Sequence, residues 1–164
     1  MKKEPLILSI DTSCDETAAA VTLGRRVLSN IVWSQIKIHQ PWGGVVPNLA
    51  KRAHQKHINE VVDTALTEAE KQVETIDAVA VTQGPGLAIA LEVGIKKAKE
   101  IAKKYNKPLI AVDHMEGHLL SSLAKNSKFQ MPNDKQISKS QIQNDKKMFR
   151  YCDFEIIWFL VLGI

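Results

Sequence analysis

Cysteine is nearly missing from this chain: Cys14 and Cys152 are the only two in 164 residues. Two thiols so far apart in sequence do not suggest a disulfide framework, which argues against a small secreted scaffold and fits a reducing cytoplasm. Long apolar runs are missing as well. After Met1-Lys2-Lys3-Glu4-Pro5 the apolar stretch ends at Asp11, too short for a signal-peptide core. The run from Phe154 to Ile164 falls short of the ~20 apolar residues that span a bilayer, so a soluble protein with no membrane partner is expected. A strong excess of one charge is also lacking. Twenty-two Lys and Arg against 18 Asp and Glu leave +4, too mild by itself to indicate a nucleic-acid partner. Much of the excess lies between Lys125 and Arg150, where seven Lys or Arg face two Asp among Gln, Asn and Ser. That stretch has no apolar periodicity and reads as a flexible basic linker, although such a segment could also touch RNA phosphates. Hydrophobic residues make up 45% of the chain, enough for the core of one domain.

The organisation is α/β. Leu6–Ile10 and Ala18–Leu23 read as short strands joined by the polar turn Asp11-Thr12-Ser13-Cys14-Asp15-Glu16-Thr17, and Val27–Trp33 reads as a third. Pro47 suits a first helical position, and Leu49, Ala53, His57, Ile58, Val61, Val62, Ala65 and Leu66 recur with helical spacing to about Lys71. Ala50, Val61 and Ala65 widen that stripe beyond about 100°, more than one sheet face covers. Either deep burial or a helical partner would absorb the surplus. A buried strand over 77–82, a helix from about Leu87 to Lys104 and a strand over 108–112 follow, then a helix from His114 and a last strand from about Glu155 to Leu162. Three leading strands followed by alternating units predict a mixed sheet of β-β-β-α-β-α-β order with helices packed on it, as in actin-like and sugar-kinase-like ATPase lobes.

His114-Met115-Glu116-Gly117-His118 directly follows the 108–112 strand. Imidazoles at i and i+4 of a helix share a face and can share a metal ion, and the carboxyl end of a strand is where α/β proteins keep their sites. Such a pair also serves to satisfy local hydrogen bonds, and the spacing alone leaves both readings open. In the zinc-protease signature the Glu directly follows the first His. Here Glu116 comes two residues later, so that base is absent. A catalytic metal takes about three protein ligands, so a third must come from elsewhere. The Asp11–Thr17 turn, Gly43-Gly44-Val45-Val46-Pro47 and Gly84-Pro85-Gly86 each suit close approach to an anion and each suit an ordinary turn.

Taken in order, Ser9-Ile10-Asp11-Thr12-Ser13-Cys14-Asp15-Glu16-Thr17-Ala18, Gly43-Gly44-Val45-Val46-Pro47 with Ala50 and His54, Ala80-Val81-Thr82-Gln83-Gly84-Pro85-Gly86-Leu87 and His114-Met115-Glu116-Gly117-His118-Leu119 resemble the amino-terminal half of the tRNA N6-adenosine threonylcarbamoyltransferase family, bacterial type TsaD, once described as glycoproteases. The resemblance spans about residues 5 to 124. It implies an actin-like fold of two lobes and transfer of a threonylcarbamoyl group from threonylcarbamoyl-AMP to N6 of the adenosine 3′ of the anticodon in tRNA. It further implies an iron or zinc ion held by His114, His118 and an aspartate from the second lobe. Asp11, Ser13 and Glu16 match the family's phosphate-side hairpin, without an assigned proton-transfer role. A TsaB-like paralogue, packed on the helices of this lobe, and a TsaE-like ATPase are the implied protein partners, in the cytoplasm.

The carboxyl end departs from the family. Where a strand ending Leu-Val-Ser-Gly-Gly-His-Thr is expected to bind nucleotide, the chain reads Leu160-Val161-Leu162-Gly163-Ile164. The resulting expectation is a lobe over 1–124, a polar linker over 125–152 and, over 153–164, the start of the strand leading to a missing second lobe. A truncated transferase, inactive alone, is the primary expectation. A non-catalytic TsaB-binding scaffold is the alternative, with a metallopeptidase and a sugar or acetate kinase disfavoured.

Overall fold

The computed structural model describes residues 4–126. Most of the expected linker, the final strand and Leu160 to Ile164 therefore lie outside the described residues. The first strands are β1 (Leu6–Asp11), β2 (Glu16–Leu23) and β3 (Arg26–Ser34). A short helix α1 (Ile36–His39) runs into a single turn at Gln40–Trp42, and α2 (Pro47–Glu68) follows. Then come β4 (Ala78–Gly84), α3 (Ala88–Lys104), β5 (Leu109–Asp113), α4 (His114–Leu120) and β6 (Lys125–Asn126).

Among the described residues, one six-stranded sheet has the order β5-β4-β1-β2-β3-β6. β1, β2 and β3 form an antiparallel meander, whereas β4 and β5 join β1 in parallel. The sheet is mixed, as the element order implies. β1 lies inside it and every one of its residues is buried, which is why its sequence is an almost unbroken apolar run. Alternation divides it between two faces. Leu8 and Ile10 join Val21, Val79 and Val81 under α2 and α3, and Ile7 joins the smaller Ala20, Ala78 and Ala80 on the opposite face.

One expectation changes and one alternative is decided. The sheet reaches two residues into the segment read as linker, because Lys125 and Asn126 pair in parallel with Arg26 and Val27. The wide stripe on α2 is covered within the lobe: Ala50, Val61 and Ala65 are all buried, because α2 packs on β2, β3 and α3 together rather than on one sheet face. His57, counted as an apolar position, stacks on Trp33 with ring centroids 3.7 Å apart. The exposed large apolar side chains lie elsewhere, at Ile36, Ile38 and Trp42 around α1 and at Leu109, Met115, Leu119 and Leu123 near β5 and α4.

Candidate functional site

The parallel strands β1, β4 and β5 all end at one edge of the lobe, and three loops meet there. The β1–β2 turn is held residue by residue. Thr12 Oγ1 donates to the Ala90 carbonyl at 2.8 Å and accepts from Gly94 N at 3.1 Å. The Ser13 carbonyl accepts from Leu87 N at 2.7 Å. This seating requires glycine at two places on the facing segment. A Cβ at Gly86 would lie 2.6 Å from the Ser13 carbonyl oxygen, and one at Gly94 would lie 2.6 Å from Thr12 Oγ1, distances no side chain tolerates.

Within the turn, the Asp11 carboxylate accepts from Ser13 N at 2.8 Å and from Ser13 Oγ at 3.1 Å. Burial drives the Asp11 carboxyl up to about 6, against the nearby Thr82 hydroxyl and the hydrogen bonds from Ser13, which favour its ionised form. Cys14 in the same turn is exposed, yet desolvation and then the neighbouring Asp15 push its thiol up to about 12, which makes it a poor nucleophile at neutral pH.

Asp113 ends β5 and caps α4, its carboxylate accepting from Met115 N at 2.9 Å and Glu116 N at 3.0 Å. The cap fixes the first turn of α4 and with it His114. Nε2 of His114 and Nε2 of His118 meet at 2.8 Å with the rings edge to face. The other nitrogen of His114, Nδ1, lies 3.9 Å from Asp11 Oδ2. Burial holds both imidazoles below their ordinary pKa, so both are neutral at pH 7. Glu116 is exposed.

The fold thus brings together Asp11, Ser13, His114 and His118. Glu16 sits apart at the start of β2, where Ser34 Oγ donates to it at 3.4 Å, and Leu160, Val161, Leu162, Gly163 and Ile164 lie outside the described residues. Two neutral imidazoles whose Nε2 atoms share one hydrogen bond, as the local hydrogen-bond reading of the spacing anticipates, place two nitrogen donors side by side at this edge. Among the described residues no group of three His, Cys, Asp or Glu is gathered for a metal. Asp113 and Thr12 hold this edge in place and were not singled out from the sequence. Asp directly before a helix start is a legible capping signal. The role of Thr12 depends on contacts with α3 and leaves no local trace.

The sequence profile of the tRNA N6-adenosine threonylcarbamoyltransferase family matches residues 26–134. A protein of that name from Anaeromyxobacter dehalogenans is 56% identical over 117 residues, covering 71% of this chain and 35% of the relative. One from Acaryochloris marina is 52% identical over 126 residues, covering 77% of this chain and 35% of the relative. The chain therefore spans about a third of the length of these relatives. Among solved structures, YeaZ from Pseudomonas aeruginosa aligns with a TM-score of 0.56 at 20% identity, covering 72% of this chain and 47% of that one. A protein described as similar to peptidase YeaZ, from the same organism, aligns with a TM-score of 0.57 at 22% identity, with the same coverage. At such identities the likeness speaks for the fold alone, an α/β lobe of the actin-like and sugar-kinase-like type.

Proposed function

The chain belongs to the tRNA N6-adenosine threonylcarbamoyltransferase family, and from that membership we propose that its described residues form one lobe of an enzyme transferring threonylcarbamoyl from threonylcarbamoyl-AMP to N6 of the adenosine 3′ of the anticodon. The observation that carries this reading is the meeting of His114 and His118 at 2.8 Å, at the strand edge where the Asp11–Ser13 turn also arrives. His114 and His118 would hold the metal, iron or zinc, with a third ligand from outside the described residues. Bound there, the ion supplies Lewis-acid polarisation of the carbamoyl carbonyl or the adenylate.

The chain's own residues prepare that place. Asp113 orients α4, and the Asp11 carboxylate, 3.9 Å from Nδ1 of His114, adds its charge on that side of the ring. Ser13 holds the Asp11 carboxylate through two hydrogen bonds. A role for Ser13 and Glu16 at the nucleotide, and of Leu160, Val161, Leu162, Gly163 and Ile164 beside it, is part of the proposal. tRNA, threonylcarbamoyl-AMP, a TsaB-like paralogue and a TsaE-like ATPase are the proposed partners. No helix among the described residues is long and apolar enough to cross a membrane, and the cytoplasm is the proposed compartment.

A non-catalytic TsaB-binding scaffold is the alternative reading. Nothing favours a metallopeptidase, since Glu116 is exposed and misplaced for a base. Grafting residues 5–124 in place of the matching segment of the Anaeromyxobacter dehalogenans relative separates the two readings. A graft that modifies tRNA supports the transferase lobe, and a folded graft that does not modify it contradicts that reading.

A further inference from the structure

Behind the β1–β2 turn, away from the histidine pair, lies a second polar cluster buried where solvent cannot serve it. His54, Gln35 and Thr17 are fully buried and His39 is 4% exposed. They connect in series. Val46 N lies 3.3 Å from His39 Nδ1, His39 Nε2 lies 3.0 Å from Gln35 Oε1, Gln35 Nε2 lies 3.1 Å from His54 Nδ1, and His54 Nε2 lies 3.1 Å from the Cys14 carbonyl. Thr17 Oγ1 also meets His54 Nδ1, at 2.8 Å, and Gln35 Nε2 lies 3.2 Å from His54 Nε2.

The two ends of this series dictate its polarity. A backbone N–H can only donate, so His39 Nδ1 accepts from Val46 and its proton sits on Nε2. That proton is donated to Gln35, which must present its carbonyl oxygen to His39 and its amide N–H to His54. A backbone carbonyl can only accept, so His54 carries its proton on Nε2 and donates it to Cys14. Its Nδ1 is then the acceptor that both Gln35 and the Thr17 hydroxyl require. This arrangement leaves both imidazoles neutral. Gln35 and Thr17 share that single acceptor, and the 3.2 Å approach of Gln35 Nε2 to the protonated His54 Nε2 is a packing contact and not a hydrogen bond. Reversing the Gln35 amide would set donor against donor at His39.

Gln35 does more than bridge. Its backbone N–H donates to the Asp15 carbonyl at 2.9 Å, and its own carbonyl accepts from Ile38 N and His39 N. The consecutive carbonyls of Cys14 and Asp15 are thus gripped from this side, while Thr12 and Ser13 are gripped from α3 and the loop before it. We infer that His54, Gln35 and His39 are positioning residues, a one-directional hydrogen-bond relay that ties the Gly43–Val46 loop to the turn carrying Asp11 and Ser13. The relay requires no assignment of function. Its consequence for catalysis rests on the transferase reading.

Nitrogen-15 NMR of the histidine rings in the intact chain tests the relay without any substitution. Both His39 and His54 should appear at neutral pH as neutral rings protonated on Nε2. Either ring found protonated on Nδ1 overturns it. For positioning, His54→Gln can still donate to Cys14 and accept from Gln35, whereas His54→Leu can do neither. Loss of these buried hydrogen bonds predicts that the Val46 amide exchanges at least about tenfold faster in His54→Leu and near the native rate in His54→Gln. Equal exchange in native and His54→Leu protein refutes the coupling. Should His54→Leu not fold, the ring tautomers of the native chain still decide. A relay confirmed by NMR in a graft that modifies no tRNA would separate failure of the functional reading from failure of this one.

Discussion

The carboxylate of Asp11 stands 3.9 Å from Nδ1 of His114, on the side of the ring opposite the nitrogen that meets His118. At this distance the carboxylate acts on the ring through its charge and not through a hydrogen bond, and in the proposed function it stands beside a metal-holding imidazole. The same carboxylate is buried, with its pKa raised to about 6 from 3.8. Its ionisation therefore costs nothing below about 3.8 and costs stability fully above about 6.

Asp11→Asn should accordingly separate stability from function. The amide still accepts from Ser13 N and no longer buries a charge. A shift of this size corresponds to an upper bound of roughly 3 kcal/mol, so the variant should be more stable at pH 7 by about 1–3 kcal/mol in urea denaturation. Metal affinity should fall about 10–100-fold. A variant less stable than the native chain at pH 7 contradicts the account of Asp11.

Asp113→Ala removes the cap of α4. A lost cap costs about 1 kcal/mol, and here the loss falls on the turn that holds His114. Hydrogen exchange should show the Met115 and Glu116 amides losing protection while Leu8 and Val79, in the sheet interior, keep theirs. Unchanged protection at Met115 would show that α4 is ordered by other contacts.

Gly86→Ala drives a methyl group to 2.6 Å from the Ser13 carbonyl, where backbone must move. Overpacking of this kind costs about 1–3 kcal/mol, and the displaced Ser13 would loosen its two hydrogen bonds to Asp11. The urea midpoint should fall. A native midpoint would mean that the loop before α3 shifts freely.

Burial lowers the pKa of His54 from its ordinary 6.5, with the nearby His39 acting the same way and the Cys14 carbonyl and Asp15 opposing. The unfolded chain then takes up a proton near 6.5 before the folded one does. The contribution of His54 to stability is complete above that pH and is lost as the pH falls through 6.5 toward the folded value. Ring titration by NMR should place the midpoint below 6.5, and a midpoint at or above 6.5 would contradict it.

The parts legible from sequence are those whose causes are local. The apolar run of β1, Pro47 at the start of α2 and the i, i+4 spacing of His114 and His118 each reflect backbone geometry acting over a few residues. α1 was not legible. Ile36-Lys37-Ile38 alternates as a strand would, and the short helix forms because the Gln35 carbonyl accepts from Ile38 and His39. The pairing of Lys125 and Asn126 with β3 was hidden for the complementary reason, since an edge strand of two polar residues has no periodicity of its own. The approach of Asp11 to His114 depends on β4 separating β1 from β5 in the sheet, which no local pattern encodes.

The most direct measurement of the central claim is tRNA modification by the graft of residues 5–124 onto the remainder of the Anaeromyxobacter dehalogenans relative. Modified adenosine is quantified by mass spectrometry after digestion of tRNA incubated with threonylcarbamoyl-AMP, a TsaB-like partner and a TsaE-like ATPase. The account predicts activity in the graft and loss of at least about 100-fold in folded His114→Ala and His118→Ala versions. Undiminished modification by either histidine variant would contradict the assignment of the pair, and a folded graft without activity would contradict the transferase lobe itself.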